Sequence, residues 1–409
     1  MAKVKLKIAL FGIFGVGNFG NEASLSAMIQ QVRQRLPNAD IFCICPEPLN
    51  VAIEHEIEAK EIGFKFRNRR NILIMRCIRI IRRISDLFGL LLLFNAIRAF
   101  QILRNVNLFI VPGTGALDDF GAGPWTLPFD LLIWCTAARL RKAKVYFCNV
   151  GAGPIENLLS RWFIKIPVRK AYYRSFRDNI SKDFVRSLGI DVNEDHVVPD
   201  LVFSLTETRF EQKYGSKKNK ITVSVGVMAY YGWDNQREKG LVVYETYINK
   251  ITIFIIWLLK NDYAVHLVIG ETTDQQAVDD ILSRIAQIAK SYLKDIVSNP
   301  VTSFNGLLKE MSTTDVVVAT RYHNIVCALM LEKPVISLGY AKKNEVLLKG
   351  VKLDKYCQHI ERIDIETLKL NFYEVVQHRE ILSKRIQKRN KRFRKILEDQ
   401  FLKMFSSMQ

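Results

Sequence analysis

The stretch Lys5-Leu6-Lys7-Ile8-Ala9-Leu10-Phe11-Gly12-Ile13-Phe14-Gly15-Val16-Gly17-Asn18-Phe19-Gly20-Asn21-Glu22 decides the fold class. Its apolar run to Phe11 predicts a strand buried on both faces. A glycine-rich turn follows directly, and a helix is predicted to open near Glu22. Strand, turn and helix in that order form the repeating unit of a parallel α/β sheet. The pattern recurs, with further strands predicted at Asp40–Cys45, Asn107–Val111, Lys144–Asn149 and His196–Val198. After the polar stretch TETRFEQKYGSKKNK (206–220) it restarts at Ile221–Val227, Ala264–Ile269, Val316–Ala319 and Pro334–Ser337. The expectation is an α/β chain of two doubly wound domains. Residues 1–205 form the N-terminal domain, with a basic amphipathic insertion at about 65–104; 206–220 form a linker, 221–372 the C-terminal domain, and 373–409 a basic helix.

With 409 residues, 49% hydrophobic and 25% charged, the chain has the material for two cores, which excludes disorder, collagen and small disulfide scaffolds. The start, MAKVKLKIALFG, has no apolar run of signal-peptide type, so a cytoplasmic protein is expected. The seven cysteines show no metal spacing and no disulfide framework, and read as buried thiols. The net charge of +19 is concentrated. Lys60–Arg104 carries eleven basic residues against two acidic, and Arg379–Lys403 ten against three. Arg76, Arg79, Arg82 and Arg83, set among Ile74, Ile78, Ile80, Ile81 and Ile84, predict a basic helix able to lie on an anionic membrane. The apolar run Leu87–Phe94 is too short to span a bilayer, which takes about 20 residues. Aromatics do not interleave with the C-terminal basic run, so nucleic acid is not an expected partner.

Three glycine turns follow strands. The first satisfies G-x-G-x-x-G with Gly15, Gly17 and Gly20, but neither Asp40 nor Glu47 stands where a ribose-binding acid is needed, which weakens a dinucleotide reading. Asn18, Asn21 and Glu22 make it a ligand-contacting loop. The second is Gly113-Thr114-Gly115, followed by Asp119, and the third Gly151-Ala152-Gly153-Pro154. Strand C-terminal ends are where open α/β sheets bind ligands. Ser175-Phe176-Arg177-Asp178 places an arginine near another strand end.

In Asp315-Val316-Val317-Val318-Ala319-Thr320-Arg321-Tyr322-His323-Asn324 a buried strand ends at Ala319 and Thr320 is placed to cap the next helix. Arg321 and His323 then occupy its first turn. A guanidinium and exposed amides bind carboxylate or phosphate, and a histidine two residues on can deliver a proton near neutral pH. Tyr340 and Lys343, after the last strand, can complete an anion pocket. No H-x-x-x-H pair, G-x-S-x-G elbow or G-x-x-x-x-G-K-[ST] loop is present, so no metal site and no common hydrolase or nucleoside triphosphatase reading is suggested.

Taken together, Gly15-Val16-Gly17-Asn18-Phe19-Gly20-Asn21-Glu22-Ala23, Gly113-Thr114-Gly115 with Asp119, Val150 to Ile155, Ser175 to Asp178, Pro199-Asp200, Arg321-Tyr322-His323 and Tyr340 with Lys343 resemble the polysaccharide pyruvyl transferase family over most of the chain. The resemblance implies a GT-B-like fold, two Rossmann-like domains facing across a cleft. It implies transfer of the pyruvyl group of phosphoenolpyruvate onto sugar hydroxyls of a cell-surface glycan, as a ketal, with release of phosphate. Carried over, His323 is the general acid, Arg321, Arg177, Lys343 and Tyr340 bind the donor, and Gly17, Asn18, Asn21, Glu22, Gly113, Thr114, Gly115 and Asp119 face the acceptor. Phosphoenolpyruvate is a co-substrate, and no cofactor or metal is implied. The acceptor is a sugar or lipid-linked glycan, and the basic segments suit peripheral contact with the inner face of the plasma membrane. The chain departs from the family pattern at Asn21, where an aspartate is usual, and at Ala341-Lys342, where Asp-Pro is frequent. The rival reading is a GT-B glycosyltransferase using a nucleotide sugar.

Overall fold

All five side chains of Leu108–Pro112 are buried. Such a run fits only a strand covered on both faces, and the strands of this chain are so arranged in a computed structural model, which describes residues 6–63, 85–205, 220–232 and 237–406. The chain divides into two units, one of Met1–Val16 with Met28–Val198 and one of Gly17–Ala27 with Pro199–Met408.

The first unit is a sheet of β1 (Lys7–Phe11), β2 (Asp40–Cys45), β3 (Glu58–Glu61), β4 (Leu108–Pro112), β5 (Lys144–Val150), β6 (Tyr173–Phe176) and β7 (His196–Val197). The strand order is β3-β2-β1-β4-β5-β6-β7 and every neighbouring pair is parallel. The described helices are α1 (Phe19–Arg35), α2 (Pro48–His55), α3 (Ser85–Ile102), α4 (Leu127–Leu140), α5 (Leu158–Arg169) and α6 (Asn179–Ser187), α1 beginning in the segment grouped with the second unit. In the core, Phe11 packs against Phe109 and Trp134, with ring centroids 5.5 and 6.2 Å apart. The buried indole N–H of Trp134 donates to the Ile62 carbonyl at 2.9 Å, which removes the cost of burying it unpaired.

The second unit repeats the winding with β8 (Thr222–Gly226), β9 (Ala264–Val268), β10 (Ile296–Val297), β11 (Val316–Ala319), β12 (Val335–Gly339) and β13 (Cys357–His359). The order is β10-β9-β8-β11-β12-β13, again all parallel. Its helices are α7 (Arg237–Lys260), α8 (Gln275–Ala289), α9 (Phe304–Ser312), α10 (Tyr322–Met330), α11 (Lys342–Gly350), α12 (Ile365–Gln377) and α13 (Arg379–Phe405). In each sheet the chain order reverses once, at β1/β4 and at β8/β11, and these are the switch points where doubly wound sheets hold ligands.

Among the described helices α7 is the one long and apolar enough to cross a bilayer. Here it buries Tyr247, Ile251, Phe254, Ile255 and Leu258, and Phe254 meets Phe372 of α12 edge to face at 5.9 Å. The terminal helical region, predicted from Tyr373, is two helices that break at His378, and Tyr373 lies inside the first, which Asp364 caps. Buried positions on α13 (Leu382, Ile386, Asn390, Phe393, Leu397, Phe401) recur every three or four residues, so its many basic side chains line the opposite faces. Of the strands β3, β6, β10 and β13, sequence reading anticipated only the end of β6, near Arg177. They have four, four, two and three residues, and β3 reads Glu-Ala-Lys-Glu, as a charged sheet edge does. The basic helix predicted around 74–84 and most of the linker lie outside the described residues.

Candidate active site

The site grows from the loop after β11, beside the switch point of the second sheet. Thr320 does not cap α10. Its hydroxyl donates to the Gly226 carbonyl and shares a hydrogen bond with the Tyr247 hydroxyl, each at 3.0 Å, so it ties the end of β11 to β8. Arg321 takes the N-cap position, with extended backbone, and offers no side-chain cap. His323 therefore falls in the first turn of α10, where the helix dipole favours an anion.

Arg321 is committed to two carboxylates. Its Nε and Nη2 donate to Oδ2 and Oδ1 of Asp274 at 2.8 and 2.7 Å, and its Nη1 lies 2.8 Å from Oε2 of Glu271. Asp274 is fully buried and also accepts the Ala229 amide at 3.0 Å. Burial alone would lower the guanidinium pKa, but the hydrogen bonds and charge of Asp274, joined by Glu271, reverse that and raise it, so Arg321 stays cationic. One cation with two anions is locally negative by one charge. The fork therefore braces the loop after β9 against the start of α10.

The first glycine turn meets this loop. The Phe19 amide donates to the Gly270 carbonyl at 3.2 Å, the Thr272 amide to the Gly17 carbonyl at 3.1 Å, and Asn18 and Glu271 form an antiparallel bridge. Gly17 has φ +82°, and a Cβ there would stand 2.5 Å from the Thr272 hydroxyl, so both conformation and space require glycine. Asn18 caps α1, its Oδ1 accepting the Asn21 amide at 3.1 Å, and that is why the helix opens at Phe19 and not near Glu22. Its Nδ2 donates to Glu271 at 3.3 Å. Gly20 lies flat under the His323 ring, where a Cβ would overlap Nδ1 and Cγ. Asn21 is half-buried and Glu22 buried.

Lys343 sits in the first turn of α11, with Nζ 4.8 Å from the centre of the Tyr340 ring and 5.8 Å from that of Tyr322. Tyr322 in turn meets the His323 ring edge to face at 5.1 Å. The second unit thus gathers Gly17, Asn18, Gly20, Arg321, Tyr322, His323, Tyr340 and Lys343.

Asn21 and Glu22 also fall in the second unit, and the other predicted residues, Gly113, Thr114, Gly115, Asp119 and Arg177, belong to the first. The Gly151 amide donates to the Thr114 carbonyl at 2.7 Å and the Leu117 amide to the Gly151 carbonyl at 3.1 Å, so the second and third glycine turns are stitched together. Gly113 and Thr114 have φ +55° and +58°. The latter is a strained conformation for a β-branched residue, of the kind that collects at functional sites. Beyond Gly115, Asp119 is buried and its Oδ1 accepts the Gly121 amide at 3.2 Å, which closes the turn. Arg177 is nearly buried over Gly151, where a Cβ would lie 2.5 Å from its Nη2, and its Nε is 3.6 Å from Asp178. Asp178 caps α6 by accepting the Ser181 amide at 2.7 Å.

Sequence reading missed Gly270, Glu271, Thr272 and Asp274. A glycine directly after a predicted strand, followed by two acids, was the available signal.

A sequence profile for "Polysaccharide pyruvyl transferase" matches residues 18–342. No curated protein matches the sequence significantly. In fold the chain is similar to UDP-GlcNAc 2-epimerase of Methanocaldococcus jannaschii, with 15% identity, 90% of this chain and 92% of that one covered and a TM-score of 0.58. It is similar to a glycosyltransferase of Rickettsia africae, with 14% identity, 98% of each chain covered and a TM-score of 0.59. The α,α-trehalose 6-phosphate synthase of Burkholderia multivorans shares 12% identity over 99% of each chain, with a TM-score of 0.57. These likenesses establish a GT-B-like pair of parallel α/β units. With the profile spanning most of its length and the Arg-Tyr-His triplet at a sheet switch point, the chain belongs to the polysaccharide pyruvyl transferase family.

Proposed function

We infer that this enzyme takes its pyruvyl group from phosphoenolpyruvate and joins it as a ketal to two hydroxyls of a cell-surface or exopolysaccharide sugar, releasing phosphate. The observation that carries the reading is the placement of His323, in the first turn of α10 with Gly20 beneath it and Tyr322 against it. His323 protonates the methylene carbon of the donor. C2 becomes oxocarbenium-like and accepts a sugar hydroxyl; phosphate leaves and the second hydroxyl closes the ketal, each hydroxyl losing its proton. General acid catalysis of this kind contributes roughly 10²- to 10⁴-fold.

Lys343 and the positive dipole ends of α10 and α11 hold the donor's negative charge, with Tyr340 shaping the pocket around the ammonium. Arg321, predicted to grip the donor, spends three of its five N–H donors on Asp274 and Glu271 and is assigned a positioning role. Arg177, over Gly151, remains the first unit's candidate for anion binding. Gly17, Asn18, Asn21, Glu22, Gly113, Thr114, Gly115 and Asp119 remain the candidates for the acceptor side. In this reading the acceptor is a sugar or lipid-linked glycan, and the enzyme works in the cytoplasm with peripheral contact at the inner face of the plasma membrane. The rival nucleotide-sugar reading rests on fold likeness alone.

The reading is tested by turnover in heavy water with phosphoenolpyruvate and a panel of pyranosides. One deuterium in the ketal methyl and stoichiometric phosphate are expected, and both should vanish in His323→Gln. Full turnover in that variant overturns the assignment.

A further inference from the structure

Among the described residues, the helical layer α3–α4–α5 of the first unit has an outer face that nothing covers. α4 packs between α3 and α5. Leu93, Phe94 and Ile97 on α3, Trp125 just before α4, and Leu158 and Trp162 on α5 are each between 48% and 79% exposed. The α3 residues lie nine, eight and five positions before the end of their helix, and Leu158 and Trp162 eleven and seven before the end of theirs. Counted from the helix ends at 1.5 Å rise per residue, these five positions span about 9 Å, and Trp125 lies nearer the N-terminal end of the layer, so the exposed apolar side chains form a broad band across it. The two tryptophans join through a shared neighbour, the Phe163 ring, 5.4 Å from Trp125 and 5.6 Å from Trp162.

The charge on the same elements is mostly positive, although α3 also carries Asp86 near its start. Residues 92–104, 125–142 and 157–170 hold nine lysines and arginines (Arg98, Arg104, Arg139, Arg141, Lys142, Arg161, Lys165, Arg169 and Lys170) against one acid, Asp130. A band of this size on a free surface marks an interaction site. Exposed tryptophans on a layer of net positive charge are the composition of a surface that seats in the headgroup region of a bilayer.

We propose that the α3–α4–α5 face docks this enzyme on an anionic lipid surface, with Leu93, Phe94, Ile97, Trp125, Leu158 and Trp162 entering the interface and the surrounding lysines and arginines meeting lipid phosphates. The docking does not depend on the identity of the donor.

Vesicle flotation of the full chain tests it. Vesicles with about a quarter phosphatidylglycerol should carry the protein at low salt and neutral phosphatidylcholine vesicles should not. Ile97→Ser/Trp162→Ser and Arg169→Glu/Lys170→Glu should each weaken partitioning about tenfold or more, with unchanged circular dichroism. Brominated lipid should quench tryptophan emission in the native protein, and much less in Trp125→Phe/Trp162→Phe. Absence of flotation overturns the proposal. Undiminished flotation of Ile97→Ser/Trp162→Ser overturns it too, assigning binding to another basic segment. A lipid-free dimer that shields Trp125 and Trp162 from aqueous iodide overturns it in favour of a second copy.

Discussion

His323 stands over the backbone of Gly20, and a Cβ at position 20 would overlap the Nδ1 and Cγ of its imidazole. The turn that opens α1 and the helix start that carries the proposed acid therefore share one space. Only a residue without a side chain lets the ring lie there.

Gly20→Ala should displace the ring. Overpacking of this kind costs about 1–3 kcal/mol of stability, and a misplaced acid should lower kcat by about 10²-fold. Donor affinity, measured by calorimetry, should change little. Steady-state kinetics with a melting curve separates the two effects.

Asp274→Ala should be the more damaging change to the fold. It leaves the Arg321 guanidinium, largely buried, without its two-point partner, and breaking one side of a buried pair costs about 3–5 kcal/mol. The double variant Asp274→Ala/Arg321→Met should recover part of the loss, because no buried guanidinium is left unpaired and Glu271, which loses its partner, is part-exposed. Equal instability of single and double variants in urea titrations would contradict the bracing role.

Lys343→Met should weaken phosphoenolpyruvate binding about 10- to 100-fold, the worth of a charge-assisted contact of about 1.5–3 kcal/mol. The ammonium lies against Tyr340 and Tyr322 without a carboxylate bound to it among the described residues, so its loss should leave the melting temperature nearly unchanged.

Thiol chemistry offers a check on the cores. Burial raises the pKa of Cys135, Cys148 and Cys327 far above the usual thiol range and pushes Cys357 up to about 12. Only thiolates react, so these groups gain reactivity as pH rises towards those values and lack it below. In a Cys77→Ser background, with Cys43 and Cys45 shielded by complete burial, native protein at pH 8 should react with Ellman's reagent about a thousandfold more slowly than free cysteine, and fully after unfolding.

The strands β2 and β11 stand at their predicted residues, because uninterrupted apolar runs bounded by polar turns leave a parallel-sheet chain little choice. The position of His323 was legible for the same reason: a strand must end before a helix can start. The partners of its neighbours were not. Thr320 is a good capping residue by type, yet its hydroxyl serves Gly226, nearly a hundred residues away, and Arg321 takes the cap. Arg321 reads as an anion binder until Asp274 arrives from the loop after β9, a contact no local pattern encodes. Asn18 reads as a ligand contact and is a helix cap as well, tied to Glu271.

The most direct test is a calorimetric titration of the full chain with phosphoenolpyruvate and, separately, with UDP- and GDP-sugars and NAD, repeated on Lys343→Met and His323→Gln. Binding of phosphoenolpyruvate alone, weakened in Lys343→Met and retained in His323→Gln, is the predicted result. Binding of a nucleotide sugar with none of phosphoenolpyruvate would contradict the proposed donor and leave only the fold.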